Sequence, residues 1–331
     1  MKTFNLILKP SYCKFFYLAF VAIQILSACS KADAEGISKD VSANVSVNLT
    51  YELKEYLYDG SGVSENNLSG QNENSQIRYI VRAYPVSKGK VSSSFTKEVV
   101  ANKSVGLGFN NNISIDLPVG EYELMIWSDI VENGHIFHNA ANFEEISLQG
   151  IHEGNNPNRD AFRGSSRIVV KDSDMNCTVK MERPLARFKL ISDDLIDFIS
   201  RQSEDNPSVN LDDYSVVVSY VGYMPSAYSM IADKAVDAST GVQFNSSCEQ
   251  VNDSEVFLGY DYVFANESNT AVTIQVALYD KIGKCVSSSK SVKVNLKRNH
   301  CTILRGKFMS SDSSDGIKIE TKYDGSYNIK L

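Results

Sequence analysis

The chain has 331 residues but only four histidines and one tryptophan. It has no CxxC spacing, so a cysteine zinc site is not indicated. No GxSxG, P-loop, HExxH or dinucleotide fingerprint occurs, which removes every positive argument for an enzyme. Basic residues nowhere cluster densely enough to make a nucleic-acid face, and the formal net charge is −7. There is also no apolar run of about 20 residues, the length a bilayer-spanning helix takes.

What the chain does have is β-forming composition. It is 43% hydrophobic and 22% charged, with 17 Tyr and 15 Phe among many Val, Ser and Asn. Its one long greasy stretch, Phe15 to Leu26, follows Lys2, Lys9 and Lys14 and has the length and flanks of a secretory signal. It ends at Leu26-Ser27-Ala28-Cys29. That order resembles the lipobox of bacterial lipoproteins, in which the thiol of the first mature residue takes a diacylglyceryl group. The alternative is a plain secretory signal with a coincidental cysteine. On the lipoprotein reading residues 1–28 are removed, Cys29 is the lipid foot, and 29–42 form a polar tether. Two or three acyl chains at about 0.8 kcal/mol per buried methylene hold a protein durably on a membrane. Ser30, where Asp would signal inner-membrane retention, implies an outer-membrane address. Asp33 and Glu35 resemble the surface-export tether of Bacteroidota lipoproteins.

Beyond the tether, alternation predicts strands. "VSVNLTYEL" carries Val45, Val47, Leu49, Tyr51 and Leu53 on one face, and "IRYIVRAYPV" (77–86) follows a Gly/Ser/Asn-rich loop at 59–76. "NISIDLPVGEYELMIWSD" (112–129) reads as two strands joined by a tight Pro-Val-Gly turn at 118–120. Residues 153–167 read as irregular and exposed, and "NCTVKMER" (176–183) restores alternation. The second half opens at "LARFKLIS" and holds the single convincing helix, residues 192–205, with Ser192 as N-cap and Leu195, Phe198 and Ile199 as its apolar stripe. Strands are predicted at 214–223, 255–265, 271–280, 285–296 and 301–309, with a hairpin at Gly283 and two short strands around Asp324-Gly325. A junction at Arg183–Pro184 gives units 43–183 and 184–331, each of about 150 residues, a usual domain size. The predicted class is mainly β: two antiparallel β-sandwiches in tandem, one short helix in the second. No fixed-period repeat is visible.

Candidate chemistry is thin. His135 and His138 lie in "NGHIFHN"; a three-residue offset puts them on opposite faces of a strand, and they read as solvated loop residues rather than metal ligands. His300 and Cys301 are adjacent, which in a strand points them apart and spoils a nucleophile pair. The acid pairs Glu144-Glu145, Asp193-Asp194 and Asp212-Asp213 say nothing about a cleft, and "DSDMN" (172–176) lacks the Gly and distal Glu of an EF-hand. No cofactor or metal is therefore expected. Cys177, Cys248, Cys285 and Cys301 could form disulfides in an oxidising exterior, with three connectivities, or remain free thiols; the sequence leaves both open. "YVGYMPSAYSM" (220–230) could present Tyr223 and Tyr228 as a sugar- or protein-binding rim; the competing reading is a loop that plugs a sandwich end with its own aromatics.

Seven stretches in order, "LPVGEYELMIWSD" (117–129), "DAFRGS" (160–165), "ERPLARFKLIS" (182–192), "YVGYMPSAYS" (220–229), "LGYDYVFA" (258–265), "LKRNHCTILRGKF" (296–308) and "YDGSYNIKL" (323–331), resemble the fimbrillin and fimbrial-anchor (FimB-like) lipoproteins of Bacteroidales. The resemblance implies two transthyretin-like sandwiches, an outer-membrane, surface-facing lipoprotein, no enzymatic activity, and fimbrial subunits as partners joined by β-strand addition. A glycan or host-protein ligand without a pilus is the alternative. Polymerising subunits of that kind are cut after an Arg near the first strand. Here the first Arg after Cys29 is Arg78, inside a predicted strand. The resemblance therefore implies an anchor-like or accessory subunit that keeps its first strand.

Overall fold

The computed structural model describes residues 38–51, 75–104, 111–203, 209–268 and 270–310. The signal, Cys29, the loop 59–74 and the strands expected around Asp324-Gly325 lie outside the described residues.

Among the described residues the first sandwich holds β1 Ser38–Tyr51, β2 Ser75–Ser87, β3 Lys90–Val91, β4 Lys97–Ser104, β5 Asn112–Glu132, β6 His135–Ile136, β7 His138–Asn139, β8 Ile146–Leu148, β9 Ala161–Val170 and β10 Met175–Met181. The second begins at β11 Leu185–Ser192 and continues through the helix α1 Leu195–Ser203, β12 Tyr214–Tyr220, β13 Tyr223–Ser229 and β14 Lys234–Thr240. It is completed by β15 Gln243–Ser247, β16 Glu249–Gln250, β17 Val256–Phe264, β18 Thr270–Asp280, β19 Cys285–Ser288, β20 Val292–Leu296 and β21 Cys301–Gly306. Tandem β-sandwiches with one helix in the second agree with the predicted class. Strand β1 starts inside the segment read as tether.

The 118–120 turn is not there. β5 runs unbroken through Pro118-Val119-Gly120. Its first part pairs β1 antiparallel, and its second lies between β2 and β9. One strand thus serves both layers of the sandwich. The inward set changes parity at this crossing, from Ile113, Ile115 and Leu117 to Tyr122, Leu124 and Ile126, and all six share one core. That parity change is the signal that imitates a turn. A strand that crosses from one sheet to the facing one must present its opposite side to stay dry. Pro118 sits beside an irregularity in β1 between Ser38 and Ser42, where a missing N–H is tolerated, and its carbonyl accepts from the Tyr122 hydroxyl at 3.0 Å.

Residues 153–167 also differ from expectation. Asn158, Arg159 and Asp160 are buried, and β9 is a ten-residue strand against β5. Gly164 explains the close packing there. A Cβ on it would come 2.8 Å from the Lys180 carbonyl oxygen and 2.6 Å from the Met181 sulfur. The expected strand 285–296 is two, β19 and β20, and β13, β14 and β15 extend the second sandwich beyond the expected set. Gly283, at φ 80°, turns β18 into β19 as its position predicts.

The two sandwiches repeat one arrangement that the sequence does not display. β1 is flanked by β10, parallel, and by β5, antiparallel. β11 is flanked by β21, parallel, and by β17, antiparallel. In each sandwich the first strand is interior, with the last described strand beside it running the same way.

Between them lies a seam. A four-stranded sheet, β14-β13-β8-β7, takes two strands from each side, joined where Ala227 and Tyr228 face Ser147 and Ile146. A third apolar cluster fills it, including Trp127, Phe143 and Ile146 from the first sandwich and Tyr228, Met230 and Phe264 from the second. The connection is taut: Glu182 and Arg163 exchange backbone hydrogen bonds, and the Pro184 carbonyl accepts from Ala265 N.

Candidate functional site

The expected helix begins later than its sequence suggests. Ser192 ends β11 rather than capping, and its hydroxyl donates to Asp194 Oδ1. Asp194 precedes α1 and is buried. Its carboxylate accepts from the backbone N–H of Met309 and of Ser310, so it fixes the chain just beyond β21. Leu195 and Phe198 are buried, whereas Ile199 is partly exposed.

The two rim candidates part company. Tyr223 stands 73% exposed at the start of β13, paired in register with Thr240 of β14. Tyr228 is fully buried in the seam and is not a rim residue. Alternation along β13 is broken by irregularities between Pro225 and Tyr228, which turns Tyr228 inward. Its ring stacks on Phe264, and its hydroxyl is shared with Asp233 and Arg298. Burial pushes the Tyr228 hydroxyl well above the ordinary phenol range, against the pull of Arg163 and Arg298. Tyr220 is buried too, donating to Asp261.

Around Tyr228 lies an ionic cluster that joins the sandwiches. Arg163 of β9 reaches Asp233, in the turn between β13 and β14, at 2.8 Å, and Glu182 at 2.7 Å. Arg298, almost entirely buried, reaches the same Asp233 at 2.8 Å and Glu267 at 3.2 Å. A second buried group holds Arg78. It donates to both carboxylate oxygens of Asp129 and to the His138 carbonyl. Burial raises the Asp129 carboxyl above the usual range despite Arg78 and the hydrogen bond from Trp127 Nε1. Arg78, the first Arg after Cys29, is therefore a seam residue on an interior strand.

His138 corrects the solvated-loop expectation. It is 0% exposed, with Trp127 against one side and Phe264 of the other sandwich against another. Neither ring nitrogen has a hydrogen-bond partner among the described residues. Desolvation, aided by Arg159 and Arg78, lowers its pKa to about 3. His135 stays exposed in β6, as expected. His152 bonds to Asp261 at 2.6 Å through Nε2 and to Arg159 at 3.0 Å through Nδ1. Arg159 must donate, so Nδ1 accepts and Nε2–H donates, which leaves no lone pair for base chemistry. The shallow 460 Å³ pocket beside it is lined by the loop 151–157 and Phe244. Its Asn155 and Asn156 side chains are already spent on Ser246, Tyr260 N, Asn158 N and Glu153.

His300 Nδ1 bonds to the Arg298 carbonyl. Cys177, Cys248, Cys285 and Cys301 are free, which decides between the two readings left open. Asp174 accepts from Asn44 N, and among the described residues no group of three or more metal-ligating side chains converges. No helix among them is long and apolar enough to cross a membrane.

The seam was the part sequence reasoning missed. Its signal lies on the faces taken as wet. Along β5, Met125, Trp127 and Asp129 lie opposite the core set Tyr122, Leu124 and Ile126. Along β2, Ile80, Arg82 and Tyr84 lie opposite Ile77, Tyr79, Val81 and Ala83. Large apolar residues on both faces mark a strand covered twice.

Residues 38–331 match a family described as one of unknown function, DUF6562. The chain belongs to that family. No curated protein matches it. Among solved structures it is similar to the fimbrial anchor protein Mfa2 from Porphyromonas gingivalis, at 13% identity and a TM-score of 0.44, over 86% of this chain and 100% of that one. It is also similar to a candidate adhesin from Bacteroides thetaiotaomicron, at 9% identity and a TM-score of 0.46, over 82% and 94% of the two chains. A third, a candidate cell adhesion protein from Bacteroides eggerthii, is 12% identical with a TM-score of 0.44, over 85% and 91%.

Proposed function

We propose that this family member is a lipid-held outer-membrane protein of the cell surface that works by binding, not catalysis, as a fimbrial anchor or accessory subunit. The observation that carries the reading is the register of Leu26-Ser27-Ala28-Cys29 with the apolar run before it. Lipid on Cys29 puts the chain on a membrane, with residues 30–37 between it and β1. The seven FimB-like stretches supply the anchor role, and tandem sandwiches suit partners that add a strand. An anchor must keep its own first strand. β1 is held on both sides, by β5 and by β10, and Arg78 is sequestered by Asp129, which accords with a chain that is not trimmed there. The boundary between the two units belongs at Arg183–Pro184, where Arg183 is fully buried against Asp160.

Labelling of growing cells with an alkyne palmitate analogue tests the attachment. The wild-type chain should take the label and fractionate with the outer membrane, and Cys29→Ala should do neither. The partner is tested by unboiled SDS gels of the membrane fraction after native cross-linking. A ladder that disappears with Cys29→Ala supports the subunit role; a lone band in both ends it. The second reading, a glycan- or host-ligand-binding lipoprotein, is favoured by the exposure of Tyr223. Glycan-array binding lost on Tyr223→Ala would support it over the first.

A further inference from the structure

We infer that each sandwich carries a shear clamp on its first strand, and that the two clamps stand in series between the ends of the chain. The observation is topological. β1 and β10 run parallel, in register from Val45–Met175 to Tyr51–Met181. Tension applied before β1 drags it toward its N-terminus. The same tension leaves the first sandwich at the C-terminal end of β10, toward β11. The two strands are pulled in opposite directions along their own axes, so the ladder bonds between them are strained together rather than one after another. Parallel ladders space these bonds evenly, so none takes the strain alone. The antiparallel partner β5, on the other side of β1, must slide as well.

The second sandwich repeats the geometry. β11 receives tension at Leu185, and β21 passes it on beyond Gly306, with pairs from Arg187–Cys301 to Ser192–Gly306. The far end of this ladder is covered by a latch. Asp194 holds Met309 and Ser310, Arg201 donates to the Ser310 carbonyl, and Phe308 N donates to the Ser192 hydroxyl. The latch must open before β21 can slide. Between the clamps, the connection at 182–184 is itself hydrogen-bonded to β9 and to Ala265, so little slack separates them. Rupture under force is governed by the rate of unfolding, and loading several bonds at once slows it far more than loading them singly. The inference rests on strand order alone and stands whether or not the anchor reading holds.

Single-molecule pulling tests it with one folded protein in two geometries. Residues 30–331 carry one handle at the N-terminus throughout, in a Cys285→Ser background that removes the exposed thiol. With the second handle at the C-terminus, both ladders are sheared. With it on Lys297→Cys, an exposed site just before β21, tension enters β11 and leaves β21 at the same end, and the second ladder is peeled. The clamp predicts that the second sandwich ruptures at about half the force or less in the peeling geometry, while the first is unchanged. Equal forces for the second sandwich in the two geometries would overturn it, as would end-to-end opening at the force of the peeled event.

Discussion

Arg163 and Asp233 meet across the seam, the guanidinium of one sandwich 2.8 Å from the carboxylate of the other. Asp233 also serves Arg298, which is nearly without solvent, and the hydroxyl of buried Tyr228. Asp233 is itself 48% exposed at its side chain, so water screens part of the loss when it is removed. Asp233→Asn, which keeps a residue tolerant of its left-handed backbone (φ 51°), should cost about 2 kcal/mol, less than the 3–5 of a fully buried broken pair. The Arg163→Met and Asp233→Asn cycle, read from urea midpoints, should show coupling of about 1 kcal/mol. The shared sheet and core also predict that both sandwiches unfold in one calorimetric transition. Two separated transitions in the wild-type protein would show that the seam does not couple them.

His138 predicts an acid dependence. Its folded pKa, about 3, lies below the unfolded value of about 6.5. The unfolded chain therefore binds the proton first. Stability from this site is full above pH 6.5, falls by about 1.4 kcal/mol per pH unit below it, and levels off near pH 3. Between pH 6.5 and 5 the loss is about 2 kcal/mol. Asp129, its carboxyl held high by burial, works the opposite way in the acid range, so the test is a difference. His138→Phe keeps the ring contacts with Trp127 and Phe264 and removes two buried nitrogens without hydrogen-bond partners, one of them 3.7 Å from the Asp129 carboxylate. The variant should match or exceed the wild type at pH 7.5, with a shallower fall toward pH 5 in urea titrations. Identical pH profiles would mean His138 is not buried neutral.

How much of this was legible beforehand differs from element to element. Val45, Val47 and Leu49, or Ile274, Val276 and Leu278, alternate cleanly because one face is core and the other solvent, and both stretches read correctly as strands. β5 misled because a strand that changes sheets reverses its inward parity, and Leu117-Pro118-Val119-Gly120 has the composition of a turn. Tyr228 and His138 misled for another reason. Each sits on a short or irregular element whose facing cannot be read by alternation, and each is buried by residues far away in sequence. The proposed lipid foot is a reading of another kind. Cys29 lies outside the described residues, and the reading rests on its neighbours in the sequence alone, because a lipobox is recognised as a linear peptide.

Gly164 fixes how closely β9 can lie on β10. Its absent Cβ leaves room for the Lys180 carbonyl, the Met181 sulfur and a Val179 methyl, all within 3 Å of where the atom would stand. Backbone cannot move aside as a flexible side-chain end can. Gly164→Ala should therefore destabilise by about 2–3 kcal/mol, in the range of overpacked cores. Met181→Ala in the same chain relieves only the sulfur contact and should not restore stability. Restoration would place the strain in the side chain rather than in the Lys180 carbonyl.

The four thiols make the last prediction, and it separates free cysteines from bridges without a structure. Cys285 is exposed on β19, Cys177 is half-buried, and Cys248 and Cys301 are buried. Burial pushes the Cys248 thiol up to about 12, so at pH 8 it holds almost no thiolate, the reactive form. Residues 30–331, purified without reductant, should show one fast equivalent with a thiol reagent, lost in Cys285→Ser. A slower reaction at Cys177 should follow, and all four should react in 6 M guanidinium. Only two reacting thiols in denaturant would mean that one disulfide forms, and none would mean two.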